Sequence, residues 1–356
     1  MRGIAGRVAM LWLVVVMALV TACGGSGTSP APSSGPAGSQ AGGDAIEVTV
    51  GVGGQASLVY LPTTLAQQLG YYAEEGLKVT LQDFQGGSKA LEALMGGSVD
   101  VVSGFYDHTI QMAAKGQKLK AFVTMLRYPG MVLAVSPKSD KPINSVADLK
   151  GAVVGVSAPG SSTHLFLNYL LSKEGLNPQA DVSVIGIGLS ATAVAAMEKG
   201  EVDAAVLTDP AVTQLAKRNP GLKILADTRT AEGVKQAFGT ETYPASVLYA
   251  RAEWIEQNPE AARRLARAIR RTLQWIQEHD AREIAEKMPA EFRGDDLETY
   301  VEAIEHTIPM FSPDGTMHDD GPGAVKEVLS LSLEEVRQAD VDVQQTYTNE
   351  FVSGGS

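Results

Sequence analysis

Two short runs of glycine and hydroxyl residues carry the most chemical information in the chain, Gly86-Gly87-Ser88 and Pro159-Gly160-Ser161-Ser162-Thr163. Each precedes an apolar stretch with helical spacing. A helix start exposes several backbone N–H groups at its positive end, and nearby hydroxyls add donors. Such a loop suits an oxyanion such as sulfonate, carboxylate or nitrate. N-capping by Ser or Thr needs no ligand and explains either run singly; two such runs facing one cleft favour binding. Two further loops, Gly53-Gly54-Gln55-Ala56-Ser57 and Gly104-Phe105-Tyr106-Asp107, together with Asp209, complete the set. The candidate contacts are therefore Gly54, Gln55, Ser57, Gly87, Ser88, Phe105, Tyr106, Asp107, Gly160, Ser161, Ser162, Thr163 and Asp209.

Asp107 and Asp209 would repel a purely anionic ligand and favour one with an amine or ring N–H. Asp209 serves equally well as the cap of a helix beginning at Pro210. Phe105 and Tyr106 offer a face for a flat ligand or an alkyl chain, with core packing the simpler role for Phe105. His108 and His164 flank these loops, where a lone histidine is more often a hydrogen-bonded structural residue. Lys89 is the only Lys or Arg in these loops, so backbone donors must hold an anion almost unaided.

Other chemistry lacks its residues. Gly-x-Ser-x-Gly, His-Glu-x-x-His and Walker patterns are absent, leaving no catalytic set, no nucleotide loop and no implied cofactor. Five scattered histidines and one cysteine make no metal cluster; His318-Asp319-Asp320 reads as a polar loop, because consecutive positions rarely converge. A formal charge of −12 argues against nucleic-acid binding. The stripe Arg263, Arg264, Arg267, Arg270 and Arg271 reads as a solvated helix face, with a permease or lipid contact as the alternative.

The elements that position the loops repeat. Ala90-x-x-Ala93-Leu94-x-x-Gly97-x-Val99-Asp100 matches Ala193-x-x-Ala196-Met197-x-x-Gly200-x-Val202-Asp203 at an offset of 103 residues. In each unit a β-rich run (46–52, 152–156) leads through a loop and a helix to a second strand (77–81, 182–187). After the repeated helix, Val-Asp opens a third strand (99–103, 202–207). Alternating strands and helices predict a parallel sheet in each of two lobes, with ligands bound beyond the strands' carboxyl ends. The apolar runs 131–135 and 246–250 bracket the second lobe and read as two crossing strands that permit hinge closure. From Asn258-Pro259-Glu260 onward the pattern is helical, with a capping Asn, then Leu265, Ile269, Leu273 and Ile276 on one face. Further helices are expected over about 281–288, 295–307 and 322–349.

The N-terminus reads as an export signal. Arg2 and Arg7 precede an 11-residue apolar run, Met10–Val20, too short for a comfortable membrane span. Val20-Thr21-Ala22-Cys23 resembles the bacterial lipobox, whose cysteine is acylated at the new N-terminus. Removing residues 1–22 would move the formal charge from −12 to −14. Eighteen of the 20 residues from Gly24 to Gly43 are Gly, Ser, Pro or Ala, a flexible tether rather than a folded segment.

Tyr60-Leu-Pro-Thr-Thr-Leu-Ala-Gln-Gln-Leu-Gly-Tyr-Tyr-Ala-Glu-Glu-Gly-Leu-Lys-Val79 resembles the opening signature of the solute-binding proteins of nitrate/sulfonate/taurine-type ABC importers, a superfamily that includes thiamine-precursor pyrimidine binders. Gly86-Gly87-Ser88, Gly151-Ala-Val-Val-Gly155, Ala158-Pro-Gly-Ser-Ser-Thr163 and Val202-Asp-Ala-Ala-Val-Leu-Thr-Asp-Pro210 are similar to the family's pattern, through most of residues 46–250. The resemblance implies an α/β, two-lobed type II periplasmic-binding-protein fold with C-terminal helices packing back on lobe 1. Its segments would be a signal peptide (1–22), an acylated linker (23–43), lobe 1 (44–133), lobe 2 (134–241) and a return to lobe 1 with the C-terminal helices (242–350). It further implies a monomeric, lipid-anchored, extracytoplasmic protein that is not an enzyme. Its partners would be a small-molecule solute, an ABC permease and ATPase, and the membrane through its anchor. Three rivals stay open: a pyrimidine binder, a pyrimidine-forming enzyme of the same fold, and a ligand-sensing lipoprotein. Export and the lack of a second cysteine count against the enzyme.

Overall fold

The computed structural model describes residues 45–353. The signal, tether and Cys23 readings fall outside the described residues. Two five-stranded sheets organise the chain. The first runs in the order β2 (Leu77–Asp83), β1 (Ile46–Val52), β3 (Val101–Phe105), β10 (Ser246–Arg251), β4 (Leu119–Thr124). The second runs β7 (Ser183–Gly186), β6 (Val153–Val156), β8 (Ala204–Leu207), β5 (Val132–Val135), β9 (Ile224–Asp227). The central strands are covered on both faces, and so read as unbroken apolar runs such as Val48, Val50, Val52, Val101 and Val102.

The sheets are mixed rather than parallel throughout. Three strands of each are parallel, but β10 lies antiparallel between β3 and β4, and β5 lies antiparallel between β8 and β9. These are the two runs expected to cross between lobes: β5 carries the chain into the second sheet and β10 returns it to the first. Where they leave their sheets the crossings are tied by backbone pairs such as Met125 N–H to Ser246 O (2.7 Å) and Thr228 N–H to Met131 O (2.9 Å).

The repeated motif does the same structural work twice. Gly97 (φ +75°) and Gly200 (φ +72°) end the helices Gly87–Met95 and Ala191–Lys199 in the left-handed conformation that a side chain disfavours. The aspartate that follows clamps the first strand of its own lobe. Asp100 N–H donates to Thr49 O (2.9 Å) while its Oδ2 accepts from Thr49 N–H (2.8 Å). Asp203 N–H donates to Val153 O (2.8 Å), and its Oδ2 accepts from Val153 N–H (2.8 Å) and Lys141 Nζ (2.7 Å). Partial burial pushes the Asp203 carboxyl up, but Lys141, Val153 N–H and Ser139 outweigh it and leave the group below its ordinary 3.8. Its stabilisation is therefore intact above about pH 4 and lost as pH falls through the depressed folded value. Asp203→Asn should lower stability at pH 7 by about 2 kcal/mol and flatten the acid limb. Urea unfolding from pH 2 to 7 checks this; parallel acid limbs for the two proteins would contradict it.

The long helix Pro259–Glu278 packs on lobe 1, against Leu61–Gln68, Tyr71–Glu74 and β4, through the buried Leu265, Ile269, Leu273 and Ile276. Its Asn258 does not cap it: the side-chain amide bonds Trp254 O instead. The helices Leu297–Thr307 and Asp320–Ser332 also reach lobe 2, packing on Ala211–Arg218 and Ser162–Lys173. The expected last helix is broken at Leu333, resumes over Glu334–Gln338 and ends in the 3₁₀ turn Val343–Gln345. Among the described residues no helix is long and apolar enough to cross a membrane.

Candidate functional site

The loops after β1, β2 and β3 meet those after β6, β7 and β8. They are joined by hydrogen bonds from one lobe to the other. Ser57 Oγ and Thr208 Oγ1 lie 2.7 Å apart, and Leu58 N–H donates to Asp209 O at 2.9 Å. Ser88 N–H donates to Ser161 Oγ (2.9 Å), which donates to Ser88 Oγ (3.1 Å), which in turn donates to Pro159 O (2.9 Å). Ser162 Oγ donates to Asp107 Oδ1 at 2.8 Å, and Ser190 Oγ to Ala56 O at 3.0 Å. The two glycine and hydroxyl runs read from sequence thus close directly on each other.

Behind these bonds lies a cavity with an atom-free volume of about 290 Å³, including its mouth. Six of the sequence candidates line it: Ser57, Gly87, Phe105, Ser161, Ser162 and Thr163. Its apolar wall comes from Val59, Met131 and Leu189 with Phe105, which meets Tyr60 edge-on at 6.0 Å. Tyr60, Ser157 and Thr208 add hydroxyls. Burial, reinforced by the negative charge of Asp107, pushes the Tyr60 phenol well above its ordinary 10, so it stays a neutral donor. No Asp, Glu, Lys, Arg or His belongs to the described lining. The polar surface consists of hydroxyls and the starts of the helices Gly87–Met95 and Ser162–Lys173. It can hold a compact polar group by neutral dipoles, with an apolar flank for whatever that group carries.

A model of the NMT1-like family matches residues 18–290. The chain belongs to the NMT1-like family. Riboflavin-binding protein RibY of Chloroflexus aurantiacus is 27% identical over 98% of this chain and 99% of its own. A solved structure from Bordetella bronchiseptica RB50 is 40% identical over 86% of this chain and 95% of that one, with a TM-score of 0.83. The periplasmic aliphatic sulphonate binding protein SsuA of Escherichia coli is 23% identical over 84% of this chain and 96% of that one, with a TM-score of 0.60. The fold is the two-lobed fold of the periplasmic binding proteins.

The remaining candidates of this NMT1-like chain lie outside the cavity lining. Gln55 N–H donates to Asp83 Oδ1, and its side chain to Thr64 Oγ1. Tyr106 is buried with its hydroxyl on Thr346, within the C-terminal segment. Gly160 gives its N–H to His164 Nδ1 (2.9 Å), and Gly54 lies against Leu189. Asp209 carries the capping role: Oδ1 accepts from Thr213 N–H (2.9 Å) and Oγ1 (2.7 Å), and Oδ2 from Arg229 Nη1 (3.2 Å). Burial alone would lower the Arg229 pKa, but Asp227 and Asp209 outweigh it and hold the guanidinium charged.

Asp107 is fully buried one layer behind the wall, tied to it through Ser162. Burial raises its pKa against the opposing pull of His108 and Ser162. Its Oδ2 and His108 Nε2 are buried without a partner among the described residues. The inference from cleft carboxylates to a ligand amine therefore loses its basis, since neither Asp107 nor Asp209 lines the cavity.

Four of the five arginines of the stripe are paired on the helix face. Arg263 and Arg264 bond Glu260, Arg267 bonds Glu75, and Arg271 bonds Glu74 and Glu75. His318-Asp319-Asp320 forms no metal cluster, and none is found among the described residues.

Proposed function

We propose that this chain is the solute-capturing component of an ABC importer, anchored outside the cytoplasm through acylated Cys23. It takes one compact solute between its lobes and presents the closed form to the permease. The observation that carries this reading is the interlobe cavity, whose lining comes from both lobes and whose rim closes by reciprocal hydrogen bonds. A ligand contacting both walls favours closure only by its differential affinity for the closed form. No covalent step is needed, which agrees with relatives named as binding proteins.

In this closed form only about 20 Å³ of the cavity is open to water, far below the roughly 300 to 1,000 Å³ of ligand sites, so a solute is taken up with the lobes somewhat further apart. The cavity's neutral hydroxyls and helix starts suit a small sulfonate, taurine or nitrate. Phe105 and Met131 offer an apolar flank to a pyrimidine. A flavin would hold the lobes further apart.

A panel of ethanesulfonate, taurine, nitrate, an aminopyrimidine and riboflavin tests the reading. One member should raise stability by about 2.7 kcal/mol at a hundredfold excess over Kd. A flat thermal response across the panel would sink the solute class. Cys23→Ala should move the protein from the membrane fraction to the soluble one; unchanged fractionation would end the anchor proposal.

A further inference from the structure

Leu189 forms part of two walls at once. It lines the inner cavity together with Phe105 and Thr208. It also lines an outer groove at the cleft mouth, with an atom-free volume of about 650 Å³, between the loop at Gln85 and the short helix Ala290–Arg293 that carries Phe292. Of the described lining residues, Leu189 alone belongs to both spaces.

Its placement is built in. A Cβ at Gly54 would lie 2.3 Å from Leu189 Cδ1, so the leucine occupies the space a side chain at position 54 would need. Thr192 Oγ1 holds Leu189 O at 2.8 Å, Gly188 N–H donates to Ser157 O at 3.0 Å, and Ser190 Oγ reaches across to Ala56 O at 3.0 Å. Ser190 adopts φ +52°, ψ −121°, a conformation that non-glycine residues disfavour and that persists only where surrounding bonds impose it. A half-buried leucine on a strained, tied loop contributes little to the core. Its position instead partitions the cleft.

We infer that Leu189 sets the length limit of the captured solute. The inner cavity receives the polar head, and the leucine side chain blocks any extension of that head into the outer groove. This rests on the capture reading above and adds a specificity determinant to it. Leu→Ala removes three carbons, and the freed space joins the two volumes. Leu189 is a steric limit as well as part of the apolar wall, so shortening it should raise the affinity for long solutes relative to that for short ones.

The experiment uses the full-length protein and two probe series in calorimetry: linear alkanesulfonates from methane- to octanesulfonate, and the pair lumichrome and riboflavin. In the wild type, affinity should fall beyond a cut-off length, or from lumichrome to riboflavin. In Leu189→Ala the sulfonate cut-off should move outward by about three carbons, or riboflavin should gain at least tenfold. The shortest binding probe should bind no more tightly than to the wild type, so the ratio of long-probe to short-probe affinity is the readout, and Leu189→Val should fall between. Thermal unfolding confirms that both variants fold. An unchanged length profile in folded Leu189→Ala, with short probes still bound, overturns the Leu189 limit alone. Failure of every probe to bind any of the proteins overturns the capture reading and the limit with it.

Discussion

Gly86→Val should lower the affinity for whichever panel member stabilises the wild type by about a hundredfold, while the ligand-free protein keeps nearly its normal stability. Gly86 has φ 178° and ψ 130°, an extended conformation that valine adopts without strain. The obstacle arises only on closure. A Cβ there would lie 2.8 Å from Ala158 Cβ across the cleft, where carbon atoms prefer about 3.5–4.0 Å. Ala158 has no rotamer through which to retreat, so the two loops must separate by about 1 Å. That separation stretches the Ser88–Ser161 and Ser88–Pro159 bonds, 2.9 Å each, past useful length. Two to three such bonds at about 1 kcal/mol each make up the predicted hundredfold. Calorimetry measures the affinity, and small-angle scattering should show the variant remaining expanded with solute present. Affinity within threefold of wild type would mean that this contact does not govern closure.

The internal repeat made much of this arrangement legible. An offset of 103 residues located both helix ends and the strands after them, and the strand, loop and helix order around that match located the two sheets and their glycine and hydroxyl loops. The same offset carries Gly86 onto Leu189, an apolar residue of the inner wall that no polar-contact pattern marks. Strand direction was not legible, because a strand buried on both faces reads as the same apolar run in either sense. Edge strands β4 and β9 escaped for a different reason. Four residues of β9, Ile224–Asp227, are too few to establish a period, and Ile224 is exposed.

Within the site, residue type did not separate roles. Ser88 and Ser162 look alike in sequence; yet the Ser88 hydroxyl is committed to Pro159 O, while Ser162 lines the cavity and ties back to Asp107. Tyr60, Met131, Ser157 and Thr208 come from four segments that only the tertiary fold brings together. The charge partner of Asp209 stands 20 residues downstream, past every loop the motifs marked.

That pairing makes Asp209→Ala the variant with the largest expected cost to folding, about 3 kcal/mol in urea unfolding of the ligand-free protein. Asp209 is 2% exposed, and its carboxylate serves three donors. Alanine leaves Thr213 N–H without its acceptor, leaves Thr213 Oγ1 only His306 Nδ1 at 3.2 Å, and removes one of the two carboxylates around Arg229. A buried donor left unpaired costs about 1–3 kcal/mol, and a broken buried ion pair about 3–5 kcal/mol. Arg229 keeps Asp227 at 2.6 Å and its side chain is 17% exposed, which holds the total near the lower end. Asp209→Asn should cost less, because an amide oxygen can still accept from Thr213 while its N–H₂ faces the guanidinium. The loss should reach function as well. Asp209 O accepts from Leu58 N–H, and the adjacent Thr208 hydroxyl meets Ser57, so the carboxylate steadies a segment that closes the cleft. A stability change below about 1 kcal/mol would place the Asp209–Arg229 pair among those whose desolvation cancels their attraction, and the anchoring of Thr208 would then have to come from the Ala211–Arg218 helix alone.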